Sequence, residues 1–249
     1  MKNASSFLII ALFLGLWEFG ARLLNKTFIL PSPIQIIVRL WELKEVLLLV
    51  HLPVTLLTIL IGLAISIVSG VGIAVWMSTN TGVRKALYPI LIATQMVPVI
   101  ALAPIFILWF GYTIWSKVAV AVLITFFPIT VNTFDGLLSG NKKTEELFLT
   151  MGASKRDIFF KYSVPTAIPQ FFSGLKVAVT LSVVGAAIGE WLGAQAGLGY
   201  FSRRMMSQFD GAAVFAPILV LSLVGIGLFF GVTYIENRML KWRTHNEKH

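Results

Sequence analysis

His51, His245 and His249 are the only histidines in the chain, and they lie too far apart to build a metal site or a catalytic triad. Cysteine is absent, so neither a disulfide framework nor a thiolate metal site is available, and redox chemistry says nothing about compartment. No phosphate-cradling glycine loop ends in Lys-Ser/Thr. The acids inside the apolar stretches are too few and too separated for a proton relay. Neither a catalytic group nor a metal ligand is assigned, and the chain cannot hydrolyse nucleotide by itself. What remains is one polar interruption, residues 144–175, TEELFLTMGASKRDIFFKYSVPTAIPQFFSGL. With the two lysines before it, it carries Lys142, Lys143, Glu145, Glu146, Lys155, Arg156, Asp157 and Lys161. If the chain moves solute uphill, the energy must come from outside, and this is the only built feature able to receive it.

The elements that position these residues follow from spacing. Residues 145–151 read as a short helix with Leu147, Phe148 and Met151 on one side. Gly152 breaks it where a chain leaving a helix needs positive φ. Ser154 and Asp157 have capping-box spacing, so a second short helix starts there, with Ile158, Phe159 and Tyr162 as its apolar side. Pro165 is expected to end it, and Pro169 falls before the next apolar run. Two short amphipathic helices at a right-angled bend, between two spans, make a rigid knob on a membrane surface.

This stretch resembles the cytoplasmic EAA loop of the membrane subunits of ATP-binding-cassette (ABC) importers. The residues that carry the likeness are Glu146, Gly152-Ala153-Ser154, Pro165, Pro169 and Gly174-Leu175, at the spacings of that loop. Leu147-Phe148 departs from it, where the family usually has two alanines. Leu30-Pro31-Ser32-Pro33, Trp109-Phe110-Gly111-Tyr112, Phe126-Phe127-Pro128, Asp135-Gly136 and Gly197-Leu198-Gly199-Tyr200 are similar to the nitrate, sulfonate and taurine branch of these importers.

Composition sets the solvent for all of this. The chain is 57% hydrophobic and only 12% charged, against about 25% charged in soluble domains. It is expected to be an integral membrane protein. Spans are expected at 7–24, 52–77, 87–110, 118–138, 171–192 and 215–235. The first, after Lys2, reads as a retained helix, not a cleaved signal. Glu18 in it is costly in lipid and is expected to face protein or the interface, or to pair with Arg22 one turn on. Residues 33–42 read as a surface helix with Ile34, Ile37, Val38 and Trp41 on its apolar face. The third span holds Pro89, Pro98 and Pro104 and is expected to kink, with Gln95 near its middle. Polar loops are expected at 78–85, 111–117 and 193–210. Gln95, Asn132, Asp135 and Glu190 are candidates to line a translocation path. The simpler account of Glu190 is an ion pair with Arg203 or Arg204.

The net charge of +9 does not point to nucleic acid, because the cations flank spans instead of forming a patch with interleaved aromatics. With the knob inside, inner cations outnumber outer ones by about two to one, which puts both termini and the knob in the cytoplasm.

The reading is an all-α membrane protein of six transmembrane helices with a type I ABC importer permease core. Residues 1–50 hold the first span and surface helix, 51–240 the permease domain with its coupling loop at 139–170, and 241–249 a cytoplasmic tail. The resemblance implies a homodimer in the lipid bilayer, two ABC ATPase subunits gripping the knobs, and a substrate-binding protein on the other side. Glu145, Glu146, Gly152, Ala153 and Ser154 then couple to the ATPase. The chain needs no cofactor, since ATP is bound by the partner subunits. The cargo implied is a sulfonate, taurine, nitrate or a thiamine-type pyrimidine, with Trp109-Phe110-Gly111-Tyr112 inclining towards the heterocycle. The alternative is a secondary, ion-coupled transporter, but no internal repeat is present.

Overall fold

A computed structural model describes residues 2–240, with side chains from residue 7. The expected tail at 241–249, with His245 and His249, lies outside the described residues. Every described element is helical. Long apolar runs fold this way in lipid because a helix satisfies its backbone hydrogen bonds within the segment. The elements are α1 (Lys2–Leu24), α2 (Pro33–Glu42), α3 (Leu52–Thr79), α4 (Thr81–Thr94), α5 (Val99–Phe110), α6 (Ile114–Leu138), α7 (Lys142–Thr150), α8 (Lys155–Ile158), α9 (Val164–Gly193), α10 (Leu198–Ser207) and α11 (Gly211–Met239). A π-helical turn, Val46–His51, leads into α3, and another, Phe159–Ser163, joins α8 to α9.

Five helical segments are long and apolar enough to cross a membrane, and α4 with α5 makes a sixth if counted as one span. That pair corrects the expectation of a kinked third span: it bends by 99°. Pro98 is responsible, because it bars the residue before it from the α region, and it serves as the N-cap of α5. Pro89 and Pro104 lie inside helices without breaking them. The polar loop expected at 78–85 shrinks to Asn80, whose side chain accepts the Val83 N–H at 3.1 Å and restarts a helix at once. The loop expected at 111–117 is only residues 111–113, since Thr113 caps α6. Lys117 is therefore inside α6 and buried, not an exposed loop cation. Pro165 does not end a helix either. It sits in the first turn of α9, where a missing N–H costs little, and helix runs without a gap from Lys155 to Gly193. The loop expected at 193–210 contains α10.

α6 and α9 form the centre, with α3 packed mainly on α6 and also touching α9, and α11 against α9. The contact is backbone to backbone. A Cβ on Gly174 would lie 2.6 Å from the Pro128 carbonyl oxygen, one on Gly185 2.9 Å from Ala121 Cα, and one on Gly189 2.9 Å from Lys117 Cα. Small residues permit this approach, and in lipid such packing is what holds helices together. Ser66 on α3 and Thr125 on α6 add a buried hydroxyl pair at 2.7 Å. Lys176 meets Glu236 at 2.8 Å, tying α9 to α11, and Arg39 meets Asp210 at 2.6 Å, tying α2 to the start of α11.

α1 lies at the edge, its apolar side chains turned outward. The expected Glu18–Arg22 pair forms at 2.7 Å, and Glu18 also takes the Ile34 N–H at 3.3 Å. On α2, Ile34, Ile37, Val38 and Trp41 share the exposed side as expected, while Ile36 is buried. The Ser32–Gln35 capping box sets where this helix begins.

Replacing Gly174 with alanine should cost about 1–3 kcal/mol, since the neighbour it meets is backbone and cannot turn aside. Thermal unfolding in detergent should show a lowered midpoint for Gly174→Ala. Gly15→Ala, where nothing lies within 4 Å, should show none.

Candidate functional site

The knob is built from the backbone outward. Asn141 opens α7 by accepting the Lys143 N–H at 3.0 Å, and its own N–H donates to the Tyr162 hydroxyl at 2.7 Å. The end of α6 is thereby fastened to the base of the helix that becomes α9. Phe148 and Tyr162 pack across the gap, their rings tilted by 42° at 5.7 Å between centres. The signal for this start was in the sequence: Asn141 with Glu145 in the first turn is an N-terminal pattern, and the expected start at 145 overlooked it.

At its other end α7 closes in a Schellman arrangement. The Gly152 N–H donates to the Leu149 carbonyl at 3.0 Å and the Ala153 N–H to the Phe148 carbonyl at 3.0 Å. Gly152 has φ +85°, as the sequence demanded. Ser154 follows at once as N-cap of α8, in a reciprocal capping box with Asp157. Lys161 bonds to Asp157 at 2.7 Å; with Ser154 it holds that carboxyl down to about 2, outside the apolar part of the helix. Every turn-forming donor from Gly152 to Ser154 is thus satisfied locally. The bend is a fixed joint.

Glu146, Gly152 and Ser154 are exposed on this knob, and Glu145 and Ala153 are half-buried. α7 has no buried residue. Leu147, Leu149, Met151 and Phe160 are exposed, so the apolar sides expected for the two short helices serve only in part for internal packing: Phe148 and Ile158 turn inward.

The four candidate path residues do not form one group. Gln95 is exposed at the break between α4 and α5. Asn132 donates to the Pro128 carbonyl of its own helix at 2.8 Å and packs against Gly174. Asp135 is exposed one turn further on. Glu190 is fully buried at the opposite end of α9. It does not pair with Arg203 or Arg204, which corrects the expectation: it accepts the Gly199 N–H at 2.8 Å instead. No group of three or more potential metal ligands occurs among the described residues.

Apolar spans around a glycine-packed pair, with a polar knob at one end, define a multi-span membrane subunit. The model of the family described as the binding-protein-dependent transport system inner membrane component matches residues 66–241, and the chain belongs to that family. It is 59% identical to the formylaminopyrimidine transport permease protein ThiX of Halalkalibacterium halodurans, over 92% of this chain and 91% of that one. It is 35% identical to a probable ABC transporter permease protein of Haemophilus influenzae, over 94% and 95%. It is 32% identical to the riboflavin transport system permease protein RibX of Chloroflexus aurantiacus, over 93% and 87%. Aliphatic sulfonate, taurine and nitrate permease proteins also match. The chain is therefore a multi-pass inner-membrane permease subunit of an ABC importer, in the nitrate, sulfonate and taurine branch, and moves a small solute without catalysing a reaction. Its family works with ABC ATPases and substrate-binding proteins.

Because a Cβ at Gly152 would meet no atom within 4 Å, the cost of substitution there is conformational alone. Gly152→Asn, which tolerates positive φ, should keep the joint. Gly152→Val should loosen it by about 1 kcal/mol or more. Hydrogen exchange at Gly152 and Ala153 should be faster in the valine variant only.

Proposed function

We propose that the knob seats in a groove of an ABC ATPase subunit, with Glu145, Glu146, Gly152, Ala153 and Ser154 at the contact. The observation that carries this is the joint itself: a Schellman turn running directly into a capping box, outside the apolar spans, with Leu147, Met151 and Phe160 left uncovered. A loop whose donors were free would flex and lose an imposed displacement. This one passes it to α6 through Asn141 and to α9 through continuous helix.

In the same proposal, two copies of the chain face each other across a two-fold axis. Residues 51–240 form the permease domain, 139–170 the coupling loop and 1–50 a peripheral unit. The charge bias along the chain supports a cytoplasmic knob and cytoplasmic termini. Nucleotide-driven closure of the ATPases draws the knobs together and switches access from one side to the other. Gln95, Asn132 and Asp135 belong to the path; Glu190, fully buried, lies behind its outer end and does not line it. The cargo is a formylated aminopyrimidine or a close heterocycle. Support for this comes from the similarity to the formylaminopyrimidine permease over nearly the whole chain. A mostly apolar membrane domain suits an importer whose selectivity resides in the binding protein.

Since the chain has no cysteine, a single Ala153→Cys reports alone. It should crosslink to the ATPase subunit in the intact assembly; labelling only by water-borne or headgroup reagents would sink the coupling assignment. Gly152→Asp, which fits the turn as asparagine does but sets a carboxylate into the proposed contact, should insert normally yet lower uptake by about tenfold or more; uptake at the parent rate would count against it. Calorimetry on the cognate binding protein should give heat with formylaminopyrimidine and none with taurine, and the reverse result would reassign the cargo.

A further inference from the structure

The N-terminus of α10 is capped from outside. Gly197, its N-cap residue, has no side chain to offer. Three successive backbone N–H groups are instead taken by side chains of other elements. Gly197 donates to His51 Nδ1 at 3.1 Å, Leu198 to Thr55 Oγ1 at 2.9 Å, and Gly199 to Glu190 Oε2 at 2.8 Å. All three acceptors are buried, at 5%, 0% and 0% exposure. These N–H groups are ones a helix start leaves unpaired, and left unmet in a dry interior each would be costly. A Cβ on Gly197, where φ is +122°, would lie 2.3 Å from the Glu190 carboxyl carbon, and one on Gly199 2.6 Å from the Ala187 carbonyl. The two glycines are what let the turn come this close.

Glu190 also has a second oxygen, Oε1, with no hydrogen-bond partner among the described residues. Lys117 is buried on α6, where its backbone touches Gly189, the neighbour of Glu190. It forms no ion pair within 4 Å among the described residues. A full set of bonds to Glu190 would suffice for a static cap. This arrangement leaves one carboxyl oxygen without a partner.

The position of the latch gives it a use. Glu190 stands on the same unbroken helical run as Lys155 and the knob, roughly 50 Å away at the rise of an α-helix. α10 in turn forms one wall of a cavity of about 990 Å³, where Gly199 and Ser202 face Val183 and Trp191 of α9 and Val214 and Phe229 of α11.

We infer that Glu190, with Thr55 and His51, is a positioning residue for transport: it makes α10 follow α9, so that displacement at the knob reshapes the mouth of the cavity at the far end. The inference rests on the knob being the coupling site. α10 is then the output of a lever whose input is the 152–154 joint. The latch transmits the movement through three backbone hydrogen bonds, backed by Phe201, whose ring packs on His51 at 5.0 Å between ring centres.

The test uses the assembled transporter with its ATPase subunits and a single cysteine at Met206, an exposed position on α10. The labelling rate of that thiol by an impermeant maleimide is read with and without a non-hydrolysable ATP analogue. In the parent, nucleotide should change the rate several-fold. Glu190→Ala and the isosteric Thr55→Val should abolish the nucleotide effect and lower the maximal uptake rate by about tenfold or more, the order expected for orphaning one buried donor. KM for the loaded binding protein should be unchanged. Thr55→Ser should behave as the parent. So should Glu190→Gln made together with Lys117→Met, which keeps an acceptor for Gly199 and leaves no cation buried alone.

A structural role alone would lower expression without separating these pairs. Should Glu190→Ala fail to assemble, Thr55→Val carries the same comparison. Retained nucleotide response and uptake in both disrupting variants would overturn the inference. So would a Met206 thiol indifferent to nucleotide in a parent whose Ala153 still crosslinks to the ATPase. Loss of that Ala153 crosslink in the parent would instead remove the coupling reading on which the latch depends.

Discussion

The contact of α6 with α9 governs everything else in this chain. Gly174, Gly185 and Gly189 bring the two backbones within a side chain's width of each other, along most of their length. Lipid tails solvate leucine as well as leucine does, so burial of bulky apolar residues gives little reason for helices to associate. Close approach does, through dispersion contacts between many atoms at once. The same closeness makes the pair resist shear, because sliding would drive Cα atoms into carbonyl oxygens. α6 ends in the knob and α9 begins from it, so the glycine seam makes one body of the two arms that hold it.

Polar groups in the spans obey the constraint that lipid imposes. Thr58, Ser69, Thr130, Thr180 and Ser222 each bond to a carbonyl one turn back on their own helix. They cost nothing in lipid and carry no information about a path. Besides the Ser66–Thr125 pair and the unpartnered Thr133 hydroxyl, one group departs from this pattern. Thr55 accepts from a different element, Glu190 is buried with one oxygen unpartnered, and Lys117 is buried nearby. They collect where three helices and a turn converge at the end remote from the knob.

Much of the site could be read from residues alone because its geometry is local. Positive φ at Gly152 and the Ser154–Asp157 box depend on neighbours within four positions, so spacing was sufficient. Spans were equally legible, since twenty apolar residues in a row leave few alternatives. The errors came where local signals compete. Pro165 signals a stop, yet within the first turn of a helix it costs little, and the π-turn before it lets the chain run on. Asn80 and Thr113 are single-residue caps inside stretches that polarity marks as loops. Pro89, Pro98 and Pro104 look alike in sequence, and only Pro98 coincides with a place where neighbours allow a 99° turn. The latch had no local signature at all. His51, Thr55 and Glu190 are more than a hundred positions apart in part, and Arg203 and Arg204, nearby in sequence, offered Glu190 a more obvious partner.

α7 has one further property with an evolutionary consequence. No side chain of this helix is fully buried; its shape is held by its two ends and by Phe148 against Tyr162. Its outward residues are thus free of any duty to the fold. Leu147, Leu149 and Met151 can be exchanged without a thermodynamic penalty elsewhere, so long as Asn141 and Gly152 remain. If the knob docks as proposed, its contact surface is free to diverge after gene duplication or be re-engineered, while the fold behind it stays the same.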